Sequence, residues 1–151
     1  MRMILALIIL GLIYAFGFPI DGEAKSEGKG EYGPYKAKVV RVIDGDTVEL
    51  DVFVWPGLKQ RIHLRLDGVN TPEKRGKGVT ACEKAAAVKA SAFTQTFLSG
   101  QKSLEVSGIR LGKFAGRVLG HITANGKDLG QALISAGLAR PYAGGKRKAW
   151  C

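Results

Sequence analysis

Cysteine is scarce, two residues in 151, which excludes a disulfide-dense miniprotein built on several bridges. Histidine is equally scarce. His63 and His121 fall in strand-like segments without zinc-ligand spacing, which speaks against a zinc centre, and both read as ordinary strand residues. Glycine is plentiful at 21 residues but has no three-residue period, which rules out a collagen-like rod. No internal repeat is present, so solenoids and arrays are excluded as well. Acidic residues are few: 13 Asp and Glu stand against 23 Lys and Arg, a net charge of +10. That imbalance favours polyanionic partners, either nucleic acid or an anionic membrane surface.

What remains is a chain of one-domain length with 46% hydrophobic residues, enough to build a core. Its one long uncharged run, Met3–Ile20, follows Arg2 and precedes the small residues Gly22 and Ala24. Residues 1–24 therefore read as a signal peptide cleaved after Ala24, which implies a secreted or periplasmic protein. The alternative is an uncleaved inner-membrane anchor, because residues 3–20 reach the lower length limit for a spanning helix. Gly11, Gly17 and Pro19 weaken a helix there and weigh against the anchor. Residues 25–151 keep 22 basic and 11 acidic residues, so the positive excess belongs to the mature domain. Residues 25–34 are polar and Gly-rich, a flexible lead-in, and residues 35–151 form the folded domain.

Within that domain Lys36–Ile43 is β-branched and predicts a strand, and Asp44-Gly45-Asp46 predicts a tight turn with Gly45 supplying positive φ. Thr47–Trp55 alternates, with Val48, Leu50, Val52 and Val54 on one face. Pro56-Gly57 turns the chain, and Gln60–Leu66 alternates again. These three strands make an antiparallel meander. Glu83–Leu98 is Ala-rich, free of Gly and Pro, and closed by Ser99-Gly100, which predicts a helix. Lys102–Ser107 and Arg117–Thr123 read as two more strands, and Asn125-Gly126 as a turn. Asp128 caps a short helix bearing Leu129, Ala132, Leu133 and Ala136 and ending at Gly137. The order βββ-α-ββ-α suits a five-stranded OB-type barrel with helices, mainly β with α (α+β); a generic α+β domain is the alternative.

Three stretches concentrate chemistry at strand ends. Asp44-Gly45-Asp46-Thr47 offers two carboxylates and a hydroxyl to a hard cation such as Ca²⁺, or is an ordinary hairpin. In Arg65–Glu73 the arginine fork suits phosphate oxygens, Pro72 stiffens the backbone around Asn70 and Thr71, and Glu73 can orient or deprotonate a water. A plain surface ion pair between Arg65 and Glu73 is the alternative. Lys113-Phe114-Ala115-Gly116-Arg117 supplies a second arginine. Two phosphate clamps, a metal turn and a water-positioning base are together the parts of phosphoryl chemistry.

V-I-D-G-D-T-V-x-L at 42–50, R-L-x-x-V-N-T-P-E at 65–73, G-R-V-L-G at 116–120 and A-L-I-S-A-G-L-A at 132–139 resemble the staphylococcal nuclease (thermonuclease) family, exported bacterial type. The resemblance runs from about Lys36 to Tyr142 and implies an OB barrel. It also implies a Ca²⁺-dependent phosphodiesterase that cuts DNA and RNA and leaves 3′-phosphorylated products. On matching positions it makes Asp46 a metal ligand and Thr71 a ligand through its carbonyl, with Asp44 behind them. Glu73 becomes the carboxylate acting on water, and Arg65 and Arg117 the two arginines on the scissile phosphate.

Departures from the family pattern carry consequences. Asn70 stands where the family commonly has a second Asp ligand; its amide oxygen can still ligate, but weaker Ca²⁺ binding or use of another divalent ion is expected. Phe114, followed by the extra Ala115, replaces a tyrosine, and can stack on a base without donating a hydrogen bond. Tyr142 takes the place of the family's later nucleotide-contacting tyrosines, and the longer C-terminal helix has no counterpart before Cys151.

Cys82 and Cys151, in an exported chain, read as one disulfide that tethers the tail; an intermolecular bond through Cys151 is the alternative. The pair would close a loop of about 70 residues, worth about 4 kcal/mol by chain entropy. Lys74, Arg75 and Lys77, and Lys146–Lys148, are either solvated faces or steering groups for nucleic acid, and Lys113 is a further candidate contact to it. The expected function is a sugar-nonspecific endonuclease on DNA and RNA, monomeric and without a protein partner. A catalytically weak OB-fold nucleic-acid-binding module is the second reading, and a membrane-tethered structural protein resting on residues 3–20 is the third.

Overall fold

A computed structural model describes residues 30–151. The signal peptide or anchor read over 1–24 and the first half of the lead-in, residues 25–29, lie outside these residues. Three antiparallel strands open the domain: β1 (Tyr35–Asp44), β2 (Thr47–Trp55) and β3 (Leu58–Leu66). A two-residue strand β4 (Val69–Asn70) and helix α1 (Ala81–Leu98) follow. Then come β5 (Leu104–Leu111), β6 (Arg117–Ala124), β7 (Lys127–Asp128), helix α2 (Leu129–Ser135) and β8 (Arg140–Pro141).

The sheet runs β3-β2-β1-β5-β6-β7, and a parallel pairing of β3 with β6 closes it into a barrel. Five strands around one core, with α1 between the third and fourth, are the OB-type order that the pattern of turns and alternation predicts. Closure removes the free edges that β3 and β6 would otherwise present. Val48, Leu50 and Val52 of β2 point inward with Leu64, Leu66, Val106 and Ile122, and α2 adds Leu129 and Leu133.

The strand boundaries shift where the barrel demands length. β3 begins at Leu58 rather than Gln60, because Leu58 pairs with Trp55 across the turn. β5 runs to Leu111 rather than stopping at Ser107: a bulge between Ser107 and Arg110, with Gly108 at φ +58°, lets the strand bend and continue. Tyr32 exchanges backbone hydrogen bonds with Ile109, so pairing reaches into the segment predicted as lead-in. Asn125 (φ 48°) and Gly126 (φ 77°) both take left-handed backbone, the tight hairpin geometry expected of that dipeptide.

Thr80 caps α1 by accepting the Glu83 N–H, and Ala87, Ala90, Thr94 and Leu98 form its buried face. The helix packs on the turn between β1 and β2. Thr94 Oγ1 donates to the Gly45 carbonyl at 2.7 Å, deep in the protein. A Cβ on Gly45 would lie 2.8 Å from Ala90 Cβ and 2.9 Å from Thr71 Oγ1. Gly45 is not among the positive-φ glycines. The sequence expectation is corrected here: this glycine is required for close approach of three elements rather than for left-handed backbone.

Candidate active site in a basic cleft

The β1–β2 turn, the end of β3 and the loop after β4 converge at one end of the barrel. A register shift between Val42 and Asp44 turns the last residues of β1 toward this end. Asp46 is 4% exposed and stands at the centre. Its Oδ2 accepts the Thr71 N–H at 3.0 Å and lies 3.1 Å from Arg65 Nη2, while its Oδ1 accepts from Thr47 Oγ1 at 3.1 Å. Arg65 is itself buried. Its guanidinium also donates to Asn70 Oδ1 at 3.1 Å and to the Val69 carbonyl at 3.2 Å. A planar fork thus spends its buried edge on fixed acceptors, which pre-sets its direction.

The surface ion pair between Arg65 and Glu73 left open by the sequence does not form. Arg65 pairs with Asp46, and Glu73 pairs through Oε1 with Arg147 Nη1. The Glu73 backbone N–H donates to Glu83 Oε1 at 3.1 Å, so the first turn of α1 holds this loop. Lys74 Nζ donates to the Ile43 carbonyl at 3.0 Å and is spent on the end of β1, whereas Arg75 is exposed.

Asp44 Oδ1 is buried without a hydrogen-bond partner. Burial, with the neighbouring Asp46 carboxylate adding to it, pushes the Asp44 carboxyl above its ordinary range. An orphaned carboxylate oxygen beside a second carboxylate is the arrangement a divalent cation relieves, and its donors are the hard oxygens such an ion takes. The residues present therefore fit a cation through Asp44, Asp46, the Thr71 carbonyl and the Asn70 amide. Among the described residues no cluster of three His, Cys, Asp or Glu forms a metal site, so such an ion would rest on carbonyl and amide oxygens as well as carboxylates.

In front of this cluster lies a cleft of about 1070 Å³. Arg65, Arg117, Lys113, Phe114, Tyr142 and Arg147 all line it. The parallel pairing of β3 and β6 sets Arg65 opposite Leu119 and His63 opposite Arg117, two residues further back. The Arg117 guanidinium rests 4.9 Å from the Phe114 ring centroid, and that of Arg65 is 5.9 Å from the Tyr142 ring. Tyr142 is brought there by β8. β4 and β8 pair Val69 with Pro141 and Asn70 with Arg140, and the Tyr142 N–H donates to the Gly68 carbonyl at 2.8 Å. A smaller hollow of about 330 Å³ continues the cleft and shares Phe114 and Arg117 with it.

Asp46, Asn70, Thr71 and Glu73 are not part of the lining; Asp46 and Asn70 reach the cleft through Arg65, and Glu73 through Arg147. Sequence reasoning missed Arg110, which lines the cleft and pairs with Asp67 at 2.7 Å. Nothing in its local pattern marks it. Arg147 was visible only as one residue of a basic tail. The tail is tied down by the disulfide between Cys82 and Cys151, which is intramolecular, as read from the sequence.

A closed OB-type barrel that carries a cationic, aromatic-walled cleft at one end defines a class of proteins that handle polyanionic strands. The sequence comparisons narrow the class. Residues 63–149 match the family described as staphylococcal nuclease homologue. The thermonuclease of Staphylococcus hyicus is 35% identical over 123 residues, covering 80% of this chain and 67% of that protein. The chain belongs to the staphylococcal nuclease homologue family.

Proposed function

We propose that the protein is an exported, cation-dependent endonuclease that hydrolyses phosphodiester bonds of DNA and RNA and leaves 3′-phosphorylated ends. One observation carries the reading: Arg65 and Arg117 line one cleft, Arg65 aimed by buried partners and Arg117 by an aromatic ring, and Arg147 of the same cleft pairs with Glu73.

The two guanidinium forks hold the non-bridging phosphate oxygens and stabilise the negative charge that grows in the transition state. Because Arg65 is fixed before substrate arrives, little reorganisation accompanies that stabilisation. Glu73 accepts a proton from the attacking water. The new bond joins the water oxygen to phosphorus. The bond from phosphorus to the 5′ oxygen breaks, and the leaving oxygen takes a proton from solvent. Phosphate stays on the 3′ side. Phe114 and Tyr142 offer faces on which bases stack, and Lys113 and Arg75 add long-range attraction.

Asp46, Asn70 and the Thr71 carbonyl, with Asp44 beside them, would hold the cation. A bound Ca²⁺ would neutralise phosphate charge, and the neutral Asn70 leaves room for another divalent ion. Residues 1–24 act as the export signal in this reading, residues 25–34 as a lead-in, and 35–151 as a monomeric domain in the periplasm or medium. Among the described residues no helix is long and apolar enough to cross a membrane.

A second reading, a nucleic-acid-binding module with weak catalysis, draws on one feature. Arg65 already occupies both Asp46 Oδ2 and Asn70 Oδ1. The deciding experiment incubates the protein with single- and double-stranded DNA and with RNA, in EDTA, Ca²⁺, Mg²⁺ or Mn²⁺, followed by end-group analysis. Cation-dependent cleavage to 3′-phosphates is expected. Retarded DNA without cleavage in any ion would establish the module instead.

A further inference from the structure

Lys146, Arg147 and Lys148 follow two glycines, a polar stretch with little surface to bury and no reason of its own to be ordered. It is nonetheless pinned at several points. Cys151 is bonded to Cys82 at the start of α1. Arg140 lies 4.1 Å from the Trp150 ring centroid and donates to the Ala149 carbonyl at 2.9 Å. Tyr142 Oη donates to the Gly145 carbonyl at 2.7 Å. Gly144 (φ +99°) and Gly145 (φ +90°) turn the chain back, in backbone that a side chain would oppose. The result of this folding is a single delivery: Arg147 pairs with Glu73 and lines the cleft that holds Arg65 and Arg117.

The geometry points to Arg147 as a positioning residue for Glu73, presented by the Cys82–Cys151 disulfide. This rests on the nuclease reading above and adds a part to it. The two ends of the bridge explain the placement. Cys82 sits one residue from Glu83, whose carboxylate holds the Glu73 N–H, so one helical turn fixes the Glu73 backbone and, through the bridge, its side-chain partner. The ion pair takes one carboxylate oxygen, and about a third of the Glu73 side chain is exposed, so a water can still approach it. A guanidinium has five N–H donors, and engaging Oε1 leaves others for a phosphate in the same cleft. Cleavage therefore depends on the oxidised state of the bridge, as suits a protein working outside the reducing cytoplasm.

The test compares four proteins, each purified as the full oxidised chain where cysteines remain: the parent, Arg147→Ala, Arg147→Lys, and Cys82→Ser/Cys151→Ser. Steady-state cleavage of a labelled single-stranded DNA oligonucleotide is read with Ca²⁺, or with whichever ion the parent uses. Arg147→Ala is expected to lower kcat about tenfold with KM within about twofold, the signature of an interaction realised in the reaction rather than in binding. Arg147→Lys is expected to recover part of that loss by restoring the ion pair. Removing the bridge is expected to reproduce the loss. Adding Arg147→Ala to it is expected to lower kcat no further, because both changes remove one delivery. Circular dichroism separates unfolding from lost positioning. If the bridge-free variant does not fold, the Arg147→Ala and Arg147→Lys pair still decides. An unchanged kcat in Arg147→Ala overturns the inference, as does a loss confined to KM. A raised kcat overturns it too and makes the tail a block on Glu73. A parent that cleaves nothing in any ion contradicts the nuclease reading itself.

Discussion

Replace Arg65 by alanine and, separately, Arg117 by alanine. Both lose cleavage if both grip the phosphate, but their stabilities should part. Arg65 is 7% exposed and is bound to Asp46, Asn70 and the Val69 carbonyl. Its removal leaves Asp46 with a buried charge answered only by the Thr71 N–H and the Thr47 hydroxyl, and strands the Asn70 amide oxygen. Breaking a buried pair from one side costs about 3–5 kcal/mol. For a domain of about 120 residues the melting entropy is about 0.25 kcal/mol/K, so the melting temperature should fall by about 12–20 °C. Arg117 is half-buried and rests on the exposed Phe114 ring, an interaction worth about 0.5–1 kcal/mol, so its loss should move the melt by less than about 4 °C. Calorimetry of both variants in EDTA, beside the parent, reads the difference. Two variants that melt together, each within a few degrees of the parent, would refute the view that Arg65 is pre-set by a buried network.

Other outcomes follow from the same geometry. Gly45→Ala should destabilise the domain by about 1–3 kcal/mol in urea unfolding, since its Cβ would press on Ala90 and Thr71; a neutral result would mean α1 does not pack tightly on the turn. Arg61 and then Lys59 hold the Asp51 carboxyl down at about 2, against an ordinary value of 3.8. A depressed carboxylate contributes stability above its unfolded pKa and loses it as pH falls through the folded one. The parent should therefore weaken between about pH 4 and pH 2, and Asp51→Asn should flatten that acid limb; an unchanged limb would remove this pair from the account. Phe114→Ala should weaken single-strand binding by about tenfold while lowering the melt by less than about 4 °C, because the ring is 67% exposed and serves as a stacking face. Equal binding by filter assay would leave Phe114 as a support for Arg117 alone.

Much of this fold is legible in the sequence, and the parts that are not share a common cause. β2 is legible in its bounds and in Val48, Leu50 and Val52, which alternate against one core, but Val54, expected on the same face, is exposed where the strand runs past the core. α1 was legible from Ala-rich composition and Ser99-Gly100, though its start lies two residues earlier, where Thr80 caps it. The two-residue strands β4, β7 and β8 were invisible, because two residues carry no period. Yet β4 and β8 are what bring Tyr142 to the cleft. Arg65, Asp46 and Asn70 stand out in the sequence by their chemistry, but their mutual bonding depends on how a turn, a strand end and a loop meet in space. The same holds for Arg147 and Glu73, 74 residues apart in the chain. Local pattern reveals which residues have suitable chemistry; closure of the barrel and of the disulfide decides which of them touch.

The most direct test of the account is the single-turnover rate of Glu73→Gln on saturating single-stranded DNA, with the divalent ion that supports the parent. Binding affinity and melting temperature are measured on the same preparation. The rate should fall about 10²–10⁴-fold with affinity and melt unchanged, as loss of a positioned proton acceptor requires. A rate equal to the parent's, from a folded protein that binds DNA equally well, would contradict it.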